Sequence, residues 1–293
     1  MASPHNYSFG RKMKASFPFP PLLIIMKPLI VANWKCNPTT LKESKQLFDS
    51  IKKGVKNIKS TEVVICPPFV YLSAVAGVPF GSEGGLALGA QNCFWEEKGA
   101  YTGEISVPML KNLGIKYVII GHSERRKYFR ETDKEINKKI KKAVGNGLKV
   151  ILCVGESEEE WKQGPVESPR ERGSSTGQGK KSQVLKLQLE NDLNKITRDE
   201  MKSISIAYEP VWAIGTGNNC SVGETMKSIL FIRQTLTNIY NRETADKTRI
   251  LYGGSVNGEN SGPYIKEALA NGLLVGGASL KAEEFVKIVK SAV

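Results

Sequence analysis

The sequence is poor in the residues that build disulfide scaffolds, metal sites and membrane spans. Five cysteines are scattered along 293 residues without a CxxC pair, and only two histidines accompany them. A disulfide framework or a zinc site is therefore not expected, and the reducing cytoplasm is the compartment that fits. The longest apolar run, FPFPPLLIIM at 17–26, falls short of the ~20 residues that span a bilayer and contains three prolines. We predict neither a metal nor a membrane as a partner.

Acidic residues are too few to balance the basic ones, and the formal net charge is +13 at pH 7. Such an excess raises RNA or an acidic surface as a candidate partner. Much of the excess, however, lies in two segments: residues 1–27 carry four basic and no acidic residues, and residues 162–181 carry five basic and two acidic ones. The modest positive charge left on the body of the chain favours an anionic small molecule over nucleic acid.

Eight short apolar runs alternate with amphipathic stretches such as LKESKQLFDSIKKGV and KEINKKIKKAVGNG. Near-continuous apolar strands separated by helices indicate a parallel sheet that is covered on both faces. Eight such units predict a single (β/α)8 barrel, an α/β fold with an eight-stranded parallel core. An open doubly wound sheet is the alternative, although no strand is followed by the GxGxxG of dinucleotide binding. The predicted strands are 27–34, 62–67, 86–91, 116–121, 149–155, 203–209, 249–254 and 272–277.

Two segments stand outside this repeat. Residues 1–27 form an N-terminal extension rich in proline, phenylalanine and basic residues. A disordered tail, or a misassigned start with Met26 as the first residue, is favoured there over a transit or signal peptide. The stretch GPVESPRERGSSTGQGKK at 164–181 has the composition of a flexible surface insertion. Residues 28–293, including this insertion, are predicted to form one catalytic domain.

Polar residues and glycines follow several of the predicted strands. In a parallel barrel the carboxyl ends of the strands meet at one rim, where barrel enzymes bind their ligands. Asn33 and Lys35 follow the first strand, and His122 follows the fourth. After the seventh and eighth strands, Gly253-Gly254-Ser255 and Gly276-Gly277 leave backbone N–H groups accessible to an anion. These residues predict a polar site with a phosphate cradle.

Each of these residues also has a purely structural interpretation. Lys35 could be a solvated surface lysine, Asn33 the end of a strand, the glycine pairs tight turns and His122 a satisfied core residue. His122, however, lies between a strand end and the helix SERRKYF, whose first N–H groups disfavour an imidazolium. A neutral ring there can donate a hydrogen bond to a substrate oxygen, while Lys35 supplies a fixed positive charge.

The stretch AYEPVWAIGTG at 207–217 places an acid at the end of a buried strand. Such an acid is unfavourable unless it is paired or used, so Glu209 is the candidate base, with capping or pairing to a lysine as the alternative. Pro210 stiffens the start of the loop that follows, and the apolar residues 211–214 are suited to cover the site. We predict that this loop is a lid that excludes water.

Taken together, NWKCN, GHSERR, AYEPVWAIGTG, YGGSV and GLLVGGASL resemble the triosephosphate isomerase family. The resemblance covers about residues 28–293 with the motifs in the family's order, and it implies a TIM barrel. Its glutamate base, neutral histidine and closing loop are the standard example of this chemistry. The resemblance implies interconversion of dihydroxyacetone phosphate and D-glyceraldehyde 3-phosphate through an enediol, without a cofactor, in glycolysis and gluconeogenesis.

The resemblance also implies a role for each motif residue. Glu209 is the proton acceptor, His122 the electrophile, and Glu124 a supporting member of the polar network. Substrate contacts fall to Asn33 and Lys35, and the phosphate contacts to Gly215, Ser255, Gly276 and Gly277. A homodimer is implied, in which Thr102 of GAYTGE reaches the neighbouring subunit's site near Asn33 and Lys35. Cys153 is expected to pack rather than to react.

Two features depart from the family pattern. Asn218-Asn219-Cys220 stands at the far end of the lid, where the family often has a triplet of the Lys-Thr-Ala type, which leaves the lid kinetics open. The insertion after the fifth strand adds loop length, which is tolerated because loop-closure entropy grows slowly. Two rival functions remain: another phosphate-binding barrel, acting on an indole or sugar phosphate, and a basic barrel that binds RNA through its tail and insertion.

Overall fold

The computed structural model describes residues 26–76, 86–157, 160, 179–213 and 219–293. Eight strands pair in parallel in chain order, and the first pairs with the last to close a barrel. The strands are β1 Leu29–Asn33, β2 Glu62–Cys66, β3 Leu86–Ala90, β4 Tyr117–Ile120, β5 Lys149–Val154, β6 Ile204–Tyr208, β7 Ile250–Tyr252 and β8 Gly272–Val275. The predicted (β/α)8 TIM barrel is therefore confirmed, and the open doubly wound alternative is wrong.

Helices connect the strands throughout the described part of the chain. The stretch predicted as amphipathic at 41–55 is helical along its full length, and the Thr40 hydroxyl caps its first turn by accepting from the Glu43 N–H. Thr132 and Glu135 form a reciprocal capping box at another helix start. The helices are α1 Leu41–Val55, α2 Phe69–Ala76, α3 Val107–Asn112, α4 Ser123–Phe129, α5 Asp133–Gly145, α6 Gly179–Asp192, α7 Arg198–Met201, α8 Val222–Ile239, α9 Arg242–Lys247, α10 Ser261–Lys266 and α11 Ala282–Ser291.

Successive side chains of each strand alternate between two apolar layers, as the pleat of a strand requires. In β1, Leu29 and Val31 belong to the cluster inside the barrel. Ile30 belongs to the outer cluster, which also contains residues of α1. The barrel closes at Gly272, where a Cβ would lie 1.9 Å from the carbonyl oxygen of Leu29. Only glycine allows the two backbones to approach this closely.

Polar groups close the amino-terminal end of the barrel. The Tyr117 hydroxyl donates to Glu62, and Arg249 Nη1 donates to the same carboxylate at 2.8 Å. Burial alone would raise the pKa of Glu62, but the hydrogen bonds from Tyr117 and Arg249 outweigh it and lower the pKa. This ionised cluster occupies the end of the barrel opposite to the predicted site.

The strand boundaries differ from the predicted ones by at most two residues. The seventh and eighth strands each end two residues earlier than predicted, because Gly253-Gly254 and Gly276-Gly277 belong to the turns that follow. Of the predicted insertion, residues 179–181 lie in α6, whereas residues 164–178 and residues 1–25 of the N-terminal extension lie outside the described residues. In the described ranges, no helix combines the length and the apolarity that a membrane crossing requires.

Candidate active site

A cavity of about 200 Å³ opens at the carboxyl ends of the strands. Most of the residues that the sequence assigned to one rim line this cavity, namely Asn33, Lys35, His122, Glu209, Ser255, Gly276 and Gly277. Glu124 reaches the site through Lys35. Thr102 does not line the cavity and lies on an exposed turn. Gly215 lies outside the described residues.

Glu209 directly follows β6 and is almost fully buried, with 2% of its surface exposed. Its Oε2 accepts the Ser123 N–H at 2.9 Å, so the carboxylate lies at the start of α4, where helix N–H groups favour negative charge. Its Oε1 lies 3.1 Å from His122 Nε2, but not along the N–H direction, and accepts no hydrogen bond from the described residues. One carboxylate oxygen is therefore available to take up a proton.

Close backbone packing fixes the position of Glu209. Its N–H donates to the Val154 carbonyl at 2.8 Å, and a Cβ on Gly155 would lie 1.7 Å from the Glu209 carbonyl oxygen. On the other side, a Cβ on Gly253 would lie 3.1 Å from Glu209 Cγ. Cys153 is a neighbour of Glu209. Burial is the main cause that raises the pKa of the Cys153 thiol well above its usual range, and the charge of Glu209 is the next largest. A neutral, packed thiol agrees with the packing role predicted for Cys153.

His122 is the N-cap residue of α4 and is 6% exposed. Its Nδ1 accepts the Glu124 N–H at 3.2 Å. A ring nitrogen that accepts a hydrogen bond carries no proton, so the ring is neutral and its proton is on Nε2. The prediction that helix-start N–H groups face this histidine is confirmed in geometry. Nε2, which lies 3.1 Å from Glu209 Oε1, is then the donor of the ring.

Lys35 is held by contacts at both its backbone and its ammonium. Its φ of 54° is in the left-handed region, which is uncommon for a residue with a side chain. Its N–H donates to Asn33 Oδ1 at 3.1 Å, and its carbonyl accepts from Gln91 Nε2 at 2.9 Å. The ammonium Nζ lies 2.5 Å from Glu124 Oε1. Asn33 and Gln91 thus stabilise a strained backbone, and Glu124 fixes the direction of the charge.

Two glycine turns, Gly253-Gly254 and Gly276-Gly277, line the same cavity as these charged groups. Gly276 packs against the Lys35 side chain, since a Cβ there would lie 3.3 Å from Lys35 Cε. Gly277 opens a 3-10 turn, Gly277–Leu280, and has free space around its Cα. The sequence predicted backbone N–H groups accessible to an anion here, and in the structure these residues begin a 3-10 turn that precedes α11. The Ser255 hydroxyl donates to the Ala213 carbonyl at 2.6 Å.

The loop that follows Glu209 is described only in part. Val211–Ala213 form a 3-10 turn, in which Ala213 is buried and Val211 donates its N–H to the Glu156 carbonyl at 3.1 Å. Beyond residues 214–218, Cys220 is buried and donates its N–H to Tyr252 Oη at 3.2 Å. That the loop acts as a lid remains a prediction.

Several supporting residues were not found from the sequence. Gln91 directly follows β3 and had the same signal as the other rim residues, a polar side chain after a strand. Arg126 had no such signal. Its guanidinium donates to the Gly121 carbonyl at 3.0 Å and to Asp192 Oδ2 at 2.6 Å. Burial raises the pKa of Asp192 well above its usual range, with Arg126 as the main opposing influence. Arg126 thereby anchors the peptide just before His122.

The chemistry available at this site is proton transfer beside an oxyanion. A buried carboxylate with one available oxygen lies beside a neutral imidazole donor and an ammonium. In the described part of the chain, no three His, Cys, Asp or Glu side chains gather in a way that could hold a metal ion. The arrangement suits removal of a proton from a carbon next to a carbonyl group.

Comparison with known proteins agrees with this geometry. The triosephosphate isomerase family model matches residues 28–292. The triosephosphate isomerase of Thermoanaerobacter sp. (strain X514) is 47% identical over 263 residues, which cover 90% of this chain and 98% of the relative. Those of Caldanaerobacter subterraneus subsp. tengcongensis and Carboxydothermus hydrogenoformans are 46% and 44% identical, over 90% and 91% of this chain and 98% and 99% of theirs. The resemblance read from the motifs is confirmed: the chain is an enzyme of the triosephosphate isomerase family.

Proposed function

We propose that this enzyme interconverts dihydroxyacetone phosphate and D-glyceraldehyde 3-phosphate through an enediol intermediate. The observation that carries the proposal is the convergence of Glu209, His122 and Lys35 on one cavity, which the Gly276-Gly277 turn also lines. These three side chains follow three different strands. Their meeting at one point supports a single reaction centre rather than three separate structural roles.

Glu209 is the base in this proposal. Its carboxylate removes a proton from the carbon next to the carbonyl, which leaves an enediolate, and then returns the proton to the neighbouring carbon. No net atom or electron leaves the substrate, so no step calls for a metal or an organic cofactor. Support comes from Oε1, which accepts no hydrogen bond from the described residues. Its burial, with 2% of the residue exposed, limits the access of water to this position.

His122 and Lys35 stabilise the oxygen on which negative charge develops. The neutral ring donates from Nε2, as the Glu124 N–H on Nδ1 requires. The Lys35 ammonium adds a positive charge, and its 2.5 Å ion pair with Glu124 holds it in place before substrate arrives. A donor and a charge that are preorganised in this way need no rearrangement as the charge forms. Asn33 completes the substrate contacts.

We assign the phosphate group to Gly276, Gly277, Ser255 and Gly215. Backbone N–H groups of a glycine turn can approach an anion closely, and Lys35 packs directly against Gly276. The apolar residues that follow Glu209 form the lid and keep water from the enediol. A dry site strengthens the electrostatic contacts within it.

We further propose that two copies of the chain assemble and that Thr102 completes the neighbouring site near Asn33 and Lys35. The exposure of Thr102 in the single chain supports this. Residues 28–293 form the catalytic domain, and residues 1–27 lie outside it. We place the reaction in the cytoplasm, in glycolysis and gluconeogenesis, with no nucleic acid as a partner. The five free cysteine thiols fit a reducing compartment.

A coupled assay of the purified protein with glyceraldehyde 3-phosphate tests the proposal. The wild type is expected to turn over substrate, and Glu209→Asp, which withdraws the carboxylate by one methylene, to lose at least ~100-fold in kcat. A variant without residues 1–26 and 164–178 is expected to keep its isomerase activity. Wild-type turnover in Glu209→Asp would count against the assigned base. A deletion variant that folds but loses activity would show that the catalytic function requires some of the deleted residues.

A further inference from the structure

Arg126 lies in α4, one helical turn after His122, and the proposed chemistry does not use it. Only 18% of its side chain is exposed. It is not among the described residues that line the active-site cavity. Any effect of Arg126 on catalysis must therefore pass through other residues.

The Arg126 guanidinium binds backbone carbonyls at the ends of two neighbouring strands. Its Nε donates to the Gly121 carbonyl at 3.0 Å, in the peptide that joins β4 to His122. Its Nη2 lies 3.5 Å from the Cys153 carbonyl in β5. A Cβ on residue 121 would lie 3.2 Å from Arg126 Nη2 and from the Cys153 carbonyl oxygen, so the absence of a side chain at Gly121 leaves room for this contact.

Two carboxylates from two further helices fix the guanidinium. Nη1 donates to Oδ1 of Asp133, the first residue of α5. Nη2 donates at 2.6 Å to Oδ2 of Asp192, which ends α6 and is fully buried. Burial alone would lower the pKa of Arg126, but the charges and hydrogen bonds of the two aspartates outweigh it and raise the pKa. The guanidinium is therefore charged, and its donors have fixed directions.

The contact with Gly121 bears directly on His122, because the Gly121 carbonyl and the His122 N–H belong to one peptide. The carbonyl of His122 itself accepts the N–H groups of Arg125 and Arg126, at 2.8 and 3.2 Å. The backbone of His122 is thus bound on both sides, by the guanidinium before it and by helix N–H groups after it. Rotation of the first peptide would turn the imidazole and move Nε2, the donor to the substrate oxygen.

We propose that Arg126 is a positioning residue that sets the direction of the His122 ring for the isomerisation. This inference rests on the proposed function. A planar guanidinium presents its donors as a rigid fork and can bind Gly121, Asp133 and Asp192 at once. A lysine ammonium would keep the positive charge without this fork. The reaction depends on the geometry of these contacts rather than on the charge alone.

The test compares the wild type with Arg126→Lys, which keeps the charge, and with Asp133→Asn, which weakens one partner where 28% of the side chain is exposed. Arg249→Lys is the matched control. The Arg249 side chain is also 18% exposed, and it donates to Glu62 at 2.8 Å at the opposite end of the barrel. The readouts are kcat and KM for glyceraldehyde 3-phosphate, with circular dichroism and urea unfolding to confirm folding.

A double-mutant cycle separates an effect through His122 from a general loss of structure. The kcat of Arg126→Lys is measured both in the wild type and in a His122→Gln background. Without the imidazole, Arg126 has no ring to position, so Arg126→Lys should then lower kcat less than about twofold. A purely structural role would lower kcat by the same factor in both backgrounds.

We expect Arg126→Lys to lower kcat about tenfold with KM within about twofold of the wild type, as the loss of one charge-assisted hydrogen bond predicts. Asp133→Asn is expected to lower kcat about threefold, and Arg249→Lys to leave it unchanged. These results, together with the smaller effect in the His122→Gln background, would support the inference.

The inference is wrong if Arg126→Lys folds and keeps the wild-type kcat, or if it lowers kcat by the same factor in both backgrounds. If Arg126→Lys does not fold, Asp133→Asn decides in the same way, and a wild-type kcat in that variant overturns the inference. A wild type without isomerase activity would instead refute the proposed function, so the two failures are distinguishable.

Discussion

Gly155→Ala tests how accurately the base must be placed. In the structure, a Cβ on Gly155 would lie 1.7 Å from the Glu209 carbonyl oxygen, where real contacts are longer than 3.0 Å. The Gly155 backbone is held in place by Gln188, whose side chain accepts from the Gly155 N–H at 2.9 Å and donates to the Gly155 carbonyl at 3.0 Å. The added methyl group must therefore displace the backbone of Glu209 by more than 1 Å.

A displacement of this size has two expected consequences. Misplacing a reacting group by ~1 Å lowers the rate of the chemical step about 100-fold. Overpacking of the same contact lowers the free energy of unfolding by ~1–3 kcal/mol, which a domain of this size can tolerate. We therefore expect kcat/KM for glyceraldehyde 3-phosphate to fall about 100-fold in a protein that still folds.

Gly223→Ala is the matched control for Gly155→Ala. Gly223 lies in α8, and a Cβ there meets no other atom within 4 Å. Replacing a helical glycine by alanine stabilises the helix by up to ~1 kcal/mol and leaves kcat/KM unchanged. The measurements are steady-state kinetics and thermal unfolding of both variants. A Gly155→Ala enzyme with kcat/KM within threefold of the wild type would refute the reasoning about the base.

Two further predictions concern charged groups away from the site. Glu62→Gln should lower stability at pH 7 by ~1 kcal/mol, because Tyr117 and Arg249 stabilise the ionised form. The pKa of Glu62 is lower in the folded than in the unfolded state. The stability difference between wild type and Glu62→Gln is therefore present above about pH 4.3, the unfolded pKa, and is lost as the pH falls through the folded pKa. Urea unfolding of both proteins between pH 7 and pH 3 measures this difference. Lys139→Met removes the buried ammonium that pairs with the Glu131 carboxylate. We expect this change to lower the free energy of unfolding by ~3 kcal/mol, measured by urea unfolding at pH 7. A change below ~0.3 kcal/mol for Glu62→Gln, or below ~1 kcal/mol for Lys139→Met, would contradict the corresponding interpretation.

The fold could be predicted because its signals are local. Each apolar run predicts a strand by its own composition, and the number of strand–helix units predicts closure. The rim residues followed from one rule, that the carboxyl ends of parallel strands meet. This rule placed Asn33, Lys35, His122 and Glu209 on one cavity although they are far apart along the chain.

The supporting contacts could not be predicted because they depend on distances between side chains that only the closed barrel sets. Arg126 and Asp192 are separated by 66 residues, and nothing in either local sequence indicates their pairing. Tyr264 lies in the short helix α10, and nothing in its local sequence indicates that its hydroxyl binds the backbone of Cys220. Strand boundaries shifted for a related reason, since hydrogen-bond pairing rather than composition decides where a strand ends.

The central claim, that the carboxylate of Glu209 moves a carbon-bound proton, is tested most directly by hydrogen exchange with solvent. Dihydroxyacetone phosphate is incubated with enzyme in deuterated water. Proton NMR follows the loss of the proton signal at the carbon next to the carbonyl as deuterium replaces that proton. The account predicts exchange with the wild type and at least ~1,000-fold slower exchange with Glu209→Gln, which should still bind glycerol 3-phosphate. Exchange at the wild-type rate in Glu209→Gln would contradict it.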